Sequence, residues 1–334
     1  MQAAVFAGPG ELRLEERPEP RIERDTDVLI AVEACGVCGS DLQILNVPPG
    51  HPGTPGTILG HEFVGHVEAV GSAVTTVQVG QRVVVDPDPK CGVCTSCRAG
   101  RPANCENIVA LGVYRDGALA RLVIAPAEAV YPISTDVSAE LAALVEPLAC
   151  VVNGTNRAAV RPGESVVIMG AGTIGCLFAA VFKASGAGPI VVVEPNPVRA
   201  AVARTVAADL CLTPDEFAAR RHEILPNGAD VVVDAVGSVL GPAIEAAAMG
   251  GRVVLFGMNG AARQPIHQVE ITEKGLSILG SYISNFTFPT AIRLVEGGSL
   301  NLAPIVSAVL PLADVVDGIA RLRSGEATKV VITP

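Results

Sequence analysis

Two different hydrophobic patterns divide the chain. Up to about residue 150, short Val-rich runs separated by Gly and Pro are typical of an irregular β-barrel. From residue 165, six short apolar runs alternate with mostly alanine-rich segments of helical pattern. These runs cover 165–169, 189–194, 208–212, 229–234, 251–257 and 276–281. Alternating strands and helices predict right-handed crossovers and a doubly wound parallel sheet, so the predicted fold class is α/β.

The change of pattern also predicts two domains. A chain of 334 residues exceeds the usual size of a single core. We assign residues 1–150 to the β-barrel domain and 151–289 to the parallel sheet. Two amphipathic helical stretches follow from about 290 to the C-terminal region. The final apolar run, KVVITP, is a terminal strand that we expect to rejoin the first domain, so that 290–334 completes it.

Composition narrows the class of protein. Hydrophobic residues make up 49% of the chain without any Trp, so the core is built from aliphatic side chains, as in parallel sheets. The net charge of −10 and the lack of a basic run predict no nucleic-acid partner. Glycines interrupt the apolar run 166–182, so no membrane segment is predicted. The first twenty residues lack the apolar core of a signal peptide, which predicts a cytoplasmic protein with reduced thiols.

Four of the nine cysteines lie close together in the sequence. Cys91, Cys94, Cys97 and Cys105 form a C-x2-C-x2-C-x7-C array. The first three are too close to pair easily as disulfides, whereas four thiolates can surround one tetrahedral ion. We therefore predict a structural zinc site, with an iron–sulfur cluster or a redox switch as alternatives. Four protein ligands leave zinc no open position, so the chemistry must lie elsewhere.

A glycine-rich turn follows the first strand of the alternating region. In SVVIMGAGTIG, Gly170, Gly172 and Gly175 fall between a strand and a helix. In a dinucleotide fingerprint these glycines permit a tight turn, close approach of a pyrophosphate and packing of helix on strand. The next strand ends at Glu194, whose carboxylate suits ribose hydroxyls and repels a 2′-phosphate. The pattern predicts an NAD site, although Arg199 leaves NADP open and Glu194 could be only a solvated strand end.

A second set of candidate metal ligands is scattered through the first domain. It comprises Cys38 in CGVCGSD, His61 and Glu62 in GHEFVG, and Glu146 in LVEPLAC. Pro147 disfavours a helical conformation at the residue before it and suits the first helical position, so we expect Glu146 to lie at a break. Three other histidines are interpreted as packing residues. They are His66, His222 and His267.

Together these motifs resemble the zinc-dependent medium-chain dehydrogenase family. The resemblance rests on CGVCGSD, GHEFVG, the four-cysteine array, VEPL and GAGTIG, and it covers essentially the whole chain. It implies a GroES-like catalytic domain, a Rossmann domain and a catalytic zinc in the cleft between them. With the cysteine array, two Zn²⁺ ions per chain are expected, besides NAD held by the glycine turn with Thr173 and Ile174. The Glu-Pro sequence at 146–147 is similar to the polyol, cyclitol and threonine branch.

The resemblance also implies a set of catalytic ligands. Cys38, His61 and Glu146 would bind the catalytic zinc, with Glu62 as an intermittent or neighbouring ligand. Three protein ligands leave the ion one open position, which is the mark of a catalytic site. Cys150, one helical turn after Glu146, is the rival ligand. Cys35 is expected to be a neighbour of the site rather than a ligand.

Proton transfer shows one departure from the family pattern. The resemblance implies that Ser40 receives the hydroxyl proton of the substrate, although a serine there could equally cap a helix. Asp41 could accept the ring N–H of His61. Position 43 is Gln, where many relatives have a histidine, so a titrating relay cannot pass through it. The remaining candidates for the relay are water, Glu62 and His51.

The expected function is zinc-dependent hydride transfer between NAD and a small secondary alcohol, such as a polyol, cyclitol or amino alcohol. Asp86, near the cleft, suits a hydroxyl-rich or amine substrate, or is a solvated turn residue; residues 44–57 should line the site. The alternatives are a general secondary alcohol or threonine dehydrogenase, and a non-catalytic sensor that binds dinucleotide or zinc. The apolar run 276–284, as a sheet edge, predicts a homodimer or homotetramer.

Overall fold

The computed structural model describes residues 1–334 and contains fifteen strands in three sheets. The strands are β1 (Gln2–Gly8), β2 (Glu11–Glu16), β3 (Asp27–Gly36), β4 (Glu62–Val70), β5 (Arg82–Val85), β6 (Leu122–Pro126), β7 (Val130–Pro132), β8 (Val166–Met169), β9 (Ile190–Val193), β10 (Leu210–Leu212), β11 (Ala229–Asp234), β12 (Ala247–Leu255), β13 (Ser277–Gly280), β14 (Val306–Pro311) and β15 (Lys329–Thr333).

Eleven α-helices connect or cover these sheets. They are α1 (Gly39–Ile44), α2 (Thr95–Arg98), α3 (Ala139–Ala142), α4 (Val145–Ala158), α5 (Thr173–Ala184), α6 (Pro197–Val206), α7 (Pro214–Ile224), α8 (Leu240–Ala246), α9 (Gln268–Lys274), α10 (Phe288–Glu296) and α11 (Val315–Ser324). None of them has the length and apolar character needed to cross a membrane.

Five of the six apolar runs of the alternating region contain one whole strand of a single sheet, and the run 251–257 contains only the C-terminal part of β12. The order of this sheet is β10-β9-β8-β11-β12-β13, and every neighbouring pair is parallel. The order reverses between β8 and β11, which opens a crevice at the carboxyl ends of these strands, where doubly wound sheets bind their ligands. The predicted α/β class and doubly wound sheet are confirmed.

The second large sheet joins the two ends of the chain. Its order is β14-β15-β3-β4-β5-β7, with β6 also paired to β3. The terminal strand β15 runs antiparallel to β3, with Val331 opposite Gly36. The apolar run KVVITP predicted β15, whereas no sequence pattern predicted β14, which lies between the two C-terminal helices. Alternate residues of β14 are exposed, but Val309 is one of them, so apolar and polar residues do not alternate in the sequence and the strand signal is lost.

One hydrophobic cluster connects the two sheets. It contains Val64 and Val84 of the mixed sheet together with Ile168 and Val233 of the parallel sheet, and residues of α4 pack between them. A separate cluster fills the interior of the mixed sheet, and a smaller one covers the other face of the parallel sheet. Because α4 is shared by both sheets, its N-terminal turn has a fixed position between them. That turn carries Glu146.

Candidate active site and metal centres

The pairing of β3 with β4 creates the first cluster of ligands. Gly36 at the end of β3 lies opposite Glu62 at the start of β4. Cys38 follows β3 by two residues, and His61 immediately precedes β4, so the antiparallel register brings them to the same point. One ligand atom from each of Cys38, His61 and Glu62 lies within 4.8 Å of the other two. Sulfur, imidazole and carboxylate together are a zinc-type ligand set.

Glu146 lines the same cavity as these three residues. The expectation that it lies at a break before the helix is wrong, because α4 begins one residue earlier, at Val145. Pro147 is accommodated in the first turn, where its missing N–H has no intrahelical partner to lose. Cys150 also lines the cavity, and its thiol donates to Glu146 Oε1 at 3.4 Å. Both candidates for the third ligand therefore face the same space.

The electrostatics of this cluster suit a cation. Burial raises the pKa of Glu146 to about 8, with the carboxylates of Glu62 and Asp88 adding to the effect. Burial lowers the pKa of His61, but the charges of Cys38 and Asp41 outweigh it and hold that pKa well above its usual value. Several acidic groups buried together favour the ionised state only when a positive charge joins them. The donor set and its burial fit a zinc ion.

His61 does not donate a hydrogen bond to Asp41, contrary to expectation. Its Nδ1 lies 3.7 Å from Asp41 Oδ1, which is too long for a hydrogen bond, and both atoms are buried without another partner. Asp41 instead accepts from the backbone N–H of Cys38 through Oδ2 at 2.9 Å. On the other side of the ring, Ser40 Oγ lies 3.3 Å from His61 Nε2. Cys38 is the N-cap of α1, so the Ser40 hydroxyl is not used for capping.

A residue that the sequence analysis missed completes this environment. Lys329, at the start of β15, pairs with the Glu62 carboxylate, and its Nζ also donates to the Val37 carbonyl at 3.0 Å. Both charged side chains are almost fully buried. Glu62 is thereby neutralised by a lysine. No local sequence signal marks a lysine in a terminal apolar strand as part of a site, because its partner is set by the pairing of β15 with β3.

The four cysteines of the 91–105 segment come together as a second cluster. Backbone N–H groups point at their sulfurs: Cys94 N donates to Cys91 Sγ at 3.3 Å, and Cys97 N donates to Cys94 Sγ at 3.4 Å. Asn107 Nδ2 donates to Cys91 Sγ as well, at 3.3 Å. The backbone N–H of Val93, the Asn107 side chain and the backbone N–H of Cys94 together lower the pKa of Cys91 to about 6. The four sulfur atoms lie within 4.8 Å of one another, which fits a structural zinc ion.

The glycine turn has the geometry of a phosphate-binding loop. Gly170 has φ +100°, which disfavours any side chain, and a Cβ at Gly175 would lie 1.9 Å from the Gly170 carbonyl oxygen. A Cβ at Gly172 would meet nothing within 4 Å, so this backbone faces open space at the start of α5. The free space lies where the fingerprint places the pyrophosphate. Ile174 lines the cavity that contains the metal-ligand cluster, and Thr173 Oγ1 donates to the Thr328 carbonyl at 2.9 Å.

Glu194 and Arg199 are both engaged within the protein. Glu194 is buried, and its carboxylate accepts from the backbone N–H groups of Ala171 (2.7 Å) and Asn196 (2.9 Å). It therefore touches the glycine turn and is not a solvated strand end. Arg199 Nη2 donates to the Leu322 carbonyl at 3.0 Å, while its Nε is buried without a partner. Arg199 thus ties α6 to α11.

The expected substrate contact at Asp86 is not in the cavity. Its carboxylate accepts from Lys90 Nζ at 2.9 and 3.0 Å and from Ser284 Oγ at 3.0 Å. Asp88, two residues later, lines the cavity instead. The cavity measures about 290 Å³ and is mostly apolar. Of the 44–57 segment, only His51 lines it. Outside the site, the three remaining histidines are at the surface rather than packed: His66, His222 and His267.

Comparison with known families agrees with this geometry. Residues 24–135 match the alcohol dehydrogenase GroES-like domain, and residues 173–297 match the zinc-binding dehydrogenase domain. D-altritol 5-dehydrogenase of Agrobacterium fabrum is 33% identical over 340 residues, which cover 99% of this chain and 98% of that protein. The chain belongs to the zinc-dependent medium-chain dehydrogenase family. It is an oxidoreductase, and its large sheets correspond to the catalytic and Rossmann parts of that family.

Solved structures of this dehydrogenase fold match over the whole chain. A zinc-binding dehydrogenase from Sinorhizobium meliloti 1021, bound to NADP, has a TM-score of 0.93 at 30% identity and covers 100% of this chain and 99% of that one. An alcohol dehydrogenase from Escherichia coli CFT073, complexed with NADH, has a TM-score of 0.92 at 27% identity with the same coverage. Both bound cofactors are nicotinamide dinucleotides, so the choice between NAD and NADP depends on the residues of this dehydrogenase itself.

Proposed function

We propose that this dehydrogenase oxidises a hydroxyl-rich secondary alcohol, such as a polyol, and reduces NAD. The observation that carries the proposal is the shared cavity: the donor atoms of Cys38, His61 and Glu62 and the Ile174 side chain beside the glycine turn face the same 290 Å³ space. A metal-ligand cluster and a cofactor loop in one apolar cleft are what hydride transfer requires. The similarity to an altritol dehydrogenase supports a polyol as substrate.

Cys38, His61 and Glu146 hold the catalytic zinc in this proposal. Glu62 stays with Lys329 and balances the charge beside the metal. A zinc ion at this position supplies a Lewis acid that makes a bound hydroxyl group more acidic. The sulfurs of the second cluster hold the structural ion, and its four ligands are Cys91, Cys94, Cys97 and Cys105.

Ser40 and His51 move the proton in this proposal. The Ser40 hydroxyl lies beside His61 Nε2 and lines the cavity, so it can accept the substrate proton and pass on its own. Gln43 cannot titrate, but His51 lines the same cavity. Its Nδ1 donates to the Pro52 carbonyl at 2.7 Å, which leaves Nε2 free to accept a proton. In this proposal His51 takes the role that a histidine at position 43 has in many relatives.

Glu194 favours NAD over NADP. Its buried carboxylate borders the glycine turn and would repel a 2′-phosphate on the adenosine ribose. Arg199, whose guanidinium is held by the Leu322 carbonyl, is not free to compensate that repulsion. We therefore assign the adenosine ribose to Glu194, and the pyrophosphate to the backbone at Gly172.

We also propose a homo-oligomer, a dimer or a tetramer, in the cytoplasm. Strand β13 is the edge of the parallel sheet, and Ser277 and Gly280 at its two ends are exposed. Its two apolar residues between them are only partly buried. An open edge of this kind can pair with a second copy. Light scattering after size-exclusion chromatography checks this: a mass of one chain, 34.1 kDa, would contradict it.

NADH formation across a panel of alcohols tests the function. Wild-type protein with a measured zinc content is mixed with NAD or NADP and with polyols, cyclitols, threonine or simple secondary alcohols. We expect turnover of a polyol with NAD, weak turnover with NADP, and loss of activity after treatment with a zinc chelator. Activity that a chelator does not change, or silence across the panel in protein that holds two zinc ions, contradicts the proposal.

A further inference from the structure

The carboxylate of Asp88 is the polar feature of the cavity that the proposed chemistry does not use. Its residue is only 7% exposed, and it lines the cavity together with the metal-ligand cluster. No side chain or backbone group of the protein donates a hydrogen bond to it, in contrast to Asp86 two residues earlier. A buried carboxylate without a partner is destabilising, because it loses its hydration and gains nothing in exchange.

The neighbouring residues fix Asp88 in this position. Asp86 Oδ1 accepts from the Asp88 backbone N–H at 3.1 Å, which closes the turn between them. Asp86 is itself held by Lys90 and by Ser284, which comes from the segment after β13. Lys90 makes no hydrogen bond to Asp88, because its Nζ donates to both Asp86 oxygens and to Ser284 Oγ. The protein thus satisfies Asp86 completely and leaves Asp88 facing the cavity.

Much of the lining around Asp88 is apolar, and the hydroxyl groups of Tyr114 and Tyr282, which also line the cavity, do not donate to its carboxylate. Ile108, Val113, Tyr114, Met258 and Ile283 all line the same space. A carboxylate that accepts no hydrogen bond in such surroundings regains the free energy lost on burial when a ligand brings hydrogen-bond donors. Ile283 supports the view that this wall is built for a ligand: it is β-branched and has φ +41°, a strained conformation typical of functional sites.

We propose that Asp88 binds a second donor group of the substrate, a hydroxyl or an ammonium, while the reacting hydroxyl is at the metal-ligand cluster. Asp88 then selects polyhydroxylated or amino alcohols over monoalcohols. This inference rests on the proposed function and specifies its substrate class. A monoalcohol leaves the carboxylate unpaired in an apolar cavity, whereas a diol or an amino alcohol satisfies it, so discrimination comes from the cost of the unpaired group.

Two substitutions at position 88 separate the possible ligands. Asp88→Ala removes the acceptor, and Asp88→Asn keeps an acceptor oxygen but removes the charge. Glu106→Gln is the matched control, because it makes the same change of charge at an exposed residue of the neighbouring cysteine segment. The kcat/KM values are measured with NAD for a polyol, threonine and 2-butanol. Calorimetric binding of the polyol and of threonine to the NADH-loaded proteins is a second readout that does not need turnover.

We expect Asp88→Ala to lower kcat/KM for the preferred substrate by about 10- to 100-fold, the usual value of a hydrogen bond to a charged group, with 2-butanol changed less than about threefold. If the second group is a hydroxyl, Asp88→Asn retains much of the activity. If it is an ammonium, Asp88→Asn loses as much as Asp88→Ala. Equal losses for 2-butanol and the preferred substrate overturn the inference, as does an effect of Glu106→Gln of the same size.

The experiments distinguish a failure of the proposed function from a failure of the role of Asp88. A wild type that oxidises 2-butanol better than every diol, polyol and amino alcohol is still a dehydrogenase, but the role of Asp88 is then wrong. A wild type that oxidises nothing contradicts the proposed function, and the calorimetric comparison alone decides the inference. Polyol or threonine binding weakened about tenfold or more by Asp88→Ala supports the role of Asp88, and unchanged binding, or no binding of either, overturns it.

Discussion

Lys329 forms a buried ion pair with Glu62, although the two residues are 267 positions apart in the chain. The first residue of the last strand thus touches the metal-ligand cluster of the first domain. Glu62 is the more buried of the pair, and the lysine also donates to the Val37 carbonyl. Burial lowers the pKa of Lys329, but the charge of Glu62 outweighs it and holds this pKa above the usual value, so the lysine is charged.

Breaking this ion pair should destabilise the protein strongly. Lys329→Met leaves the Glu62 carboxylate buried without a counterion, and such changes cost about 3–5 kcal/mol. We expect a clear loss of unfolding free energy in urea, measured in the metal-free protein, where no zinc ion can act as a counterion to Glu62. The double variant Glu62→Gln/Lys329→Met should recover much of it, because no charge is left unpaired. A single variant as stable as the wild type would falsify this.

The two metal-ligand clusters should lose their ions independently. Cys97→Ser removes one sulfur from the cysteine segment, while Glu146→Ala removes a ligand from the cavity. Because the two clusters share no residue, we expect about one zinc per chain in each variant, against two in the wild type, as measured by mass spectrometry of the purified protein. Glu146→Ala should abolish turnover with little unfolding. Loss of both ions in Glu146→Ala would mean that the sites depend on each other.

Glu194 should control the choice of cofactor. Glu194→Gln keeps an acceptor for the N–H groups of Ala171 and Asn196 but removes the negative charge that opposes a 2′-phosphate. We expect the ratio of kcat/KM for NAD to that for NADP to fall by about fivefold or more, because a like charge in contact costs on the order of 1 kcal/mol or more. Glu164→Gln, at a carboxylate held by Arg252, is the matched control. An unchanged ratio in Glu194→Gln contradicts the assignment.

Asp88 should lower the stability of the protein near neutral pH. Burial raises its pKa from 3.8 to about 6, so the folded state disfavours the charged form. This penalty is absent below pH 3.8, grows as the pH rises and is complete above about pH 6. Asp88→Asn should therefore raise the free energy of unfolding at pH 7.5 by at most about 3 kcal/mol, and by progressively less as the pH falls.

Thermal unfolding of the chelated proteins measures this effect, because a bound dication would itself lower the pKa of Asp88. The quantity compared is the difference in thermal stability between variant and wild type at about pH 5, 6 and 7.5. Glu106→Gln serves again as the exposed control. The interpretation is wrong if the gain from Asp88→Asn is independent of pH, since a packing effect would not follow the titration of the carboxylate.

Local sequence patterns were sufficient to predict the parallel sheet, the cysteine cluster and the glycine turn. The alternation of apolar runs and helical segments predicted the parallel sheet because burial of both faces leaves a continuous signature in each strand. The cysteine spacing indicated a metal cluster because its ligands are neighbours in the chain. The glycine turn could be predicted for the same reason, because the tight turn and the close packing of helix on strand depend on three residues within one short segment.

The helix start at Val145 and strand β14 could not be predicted from the sequence, because tertiary packing overrides weak local preferences at element ends. The sequence by itself determined which residue types could bind metal and cofactor. Only the tertiary structure decided their partners: Lys329 reaches Glu62 through the pairing of β15 with β3, and Asp88 rather than Asp86 faces the cavity because Lys90 and Ser284 engage Asp86. Such contacts join distant segments, and the free energy that selects them comes from burial and charge pairing in the folded state.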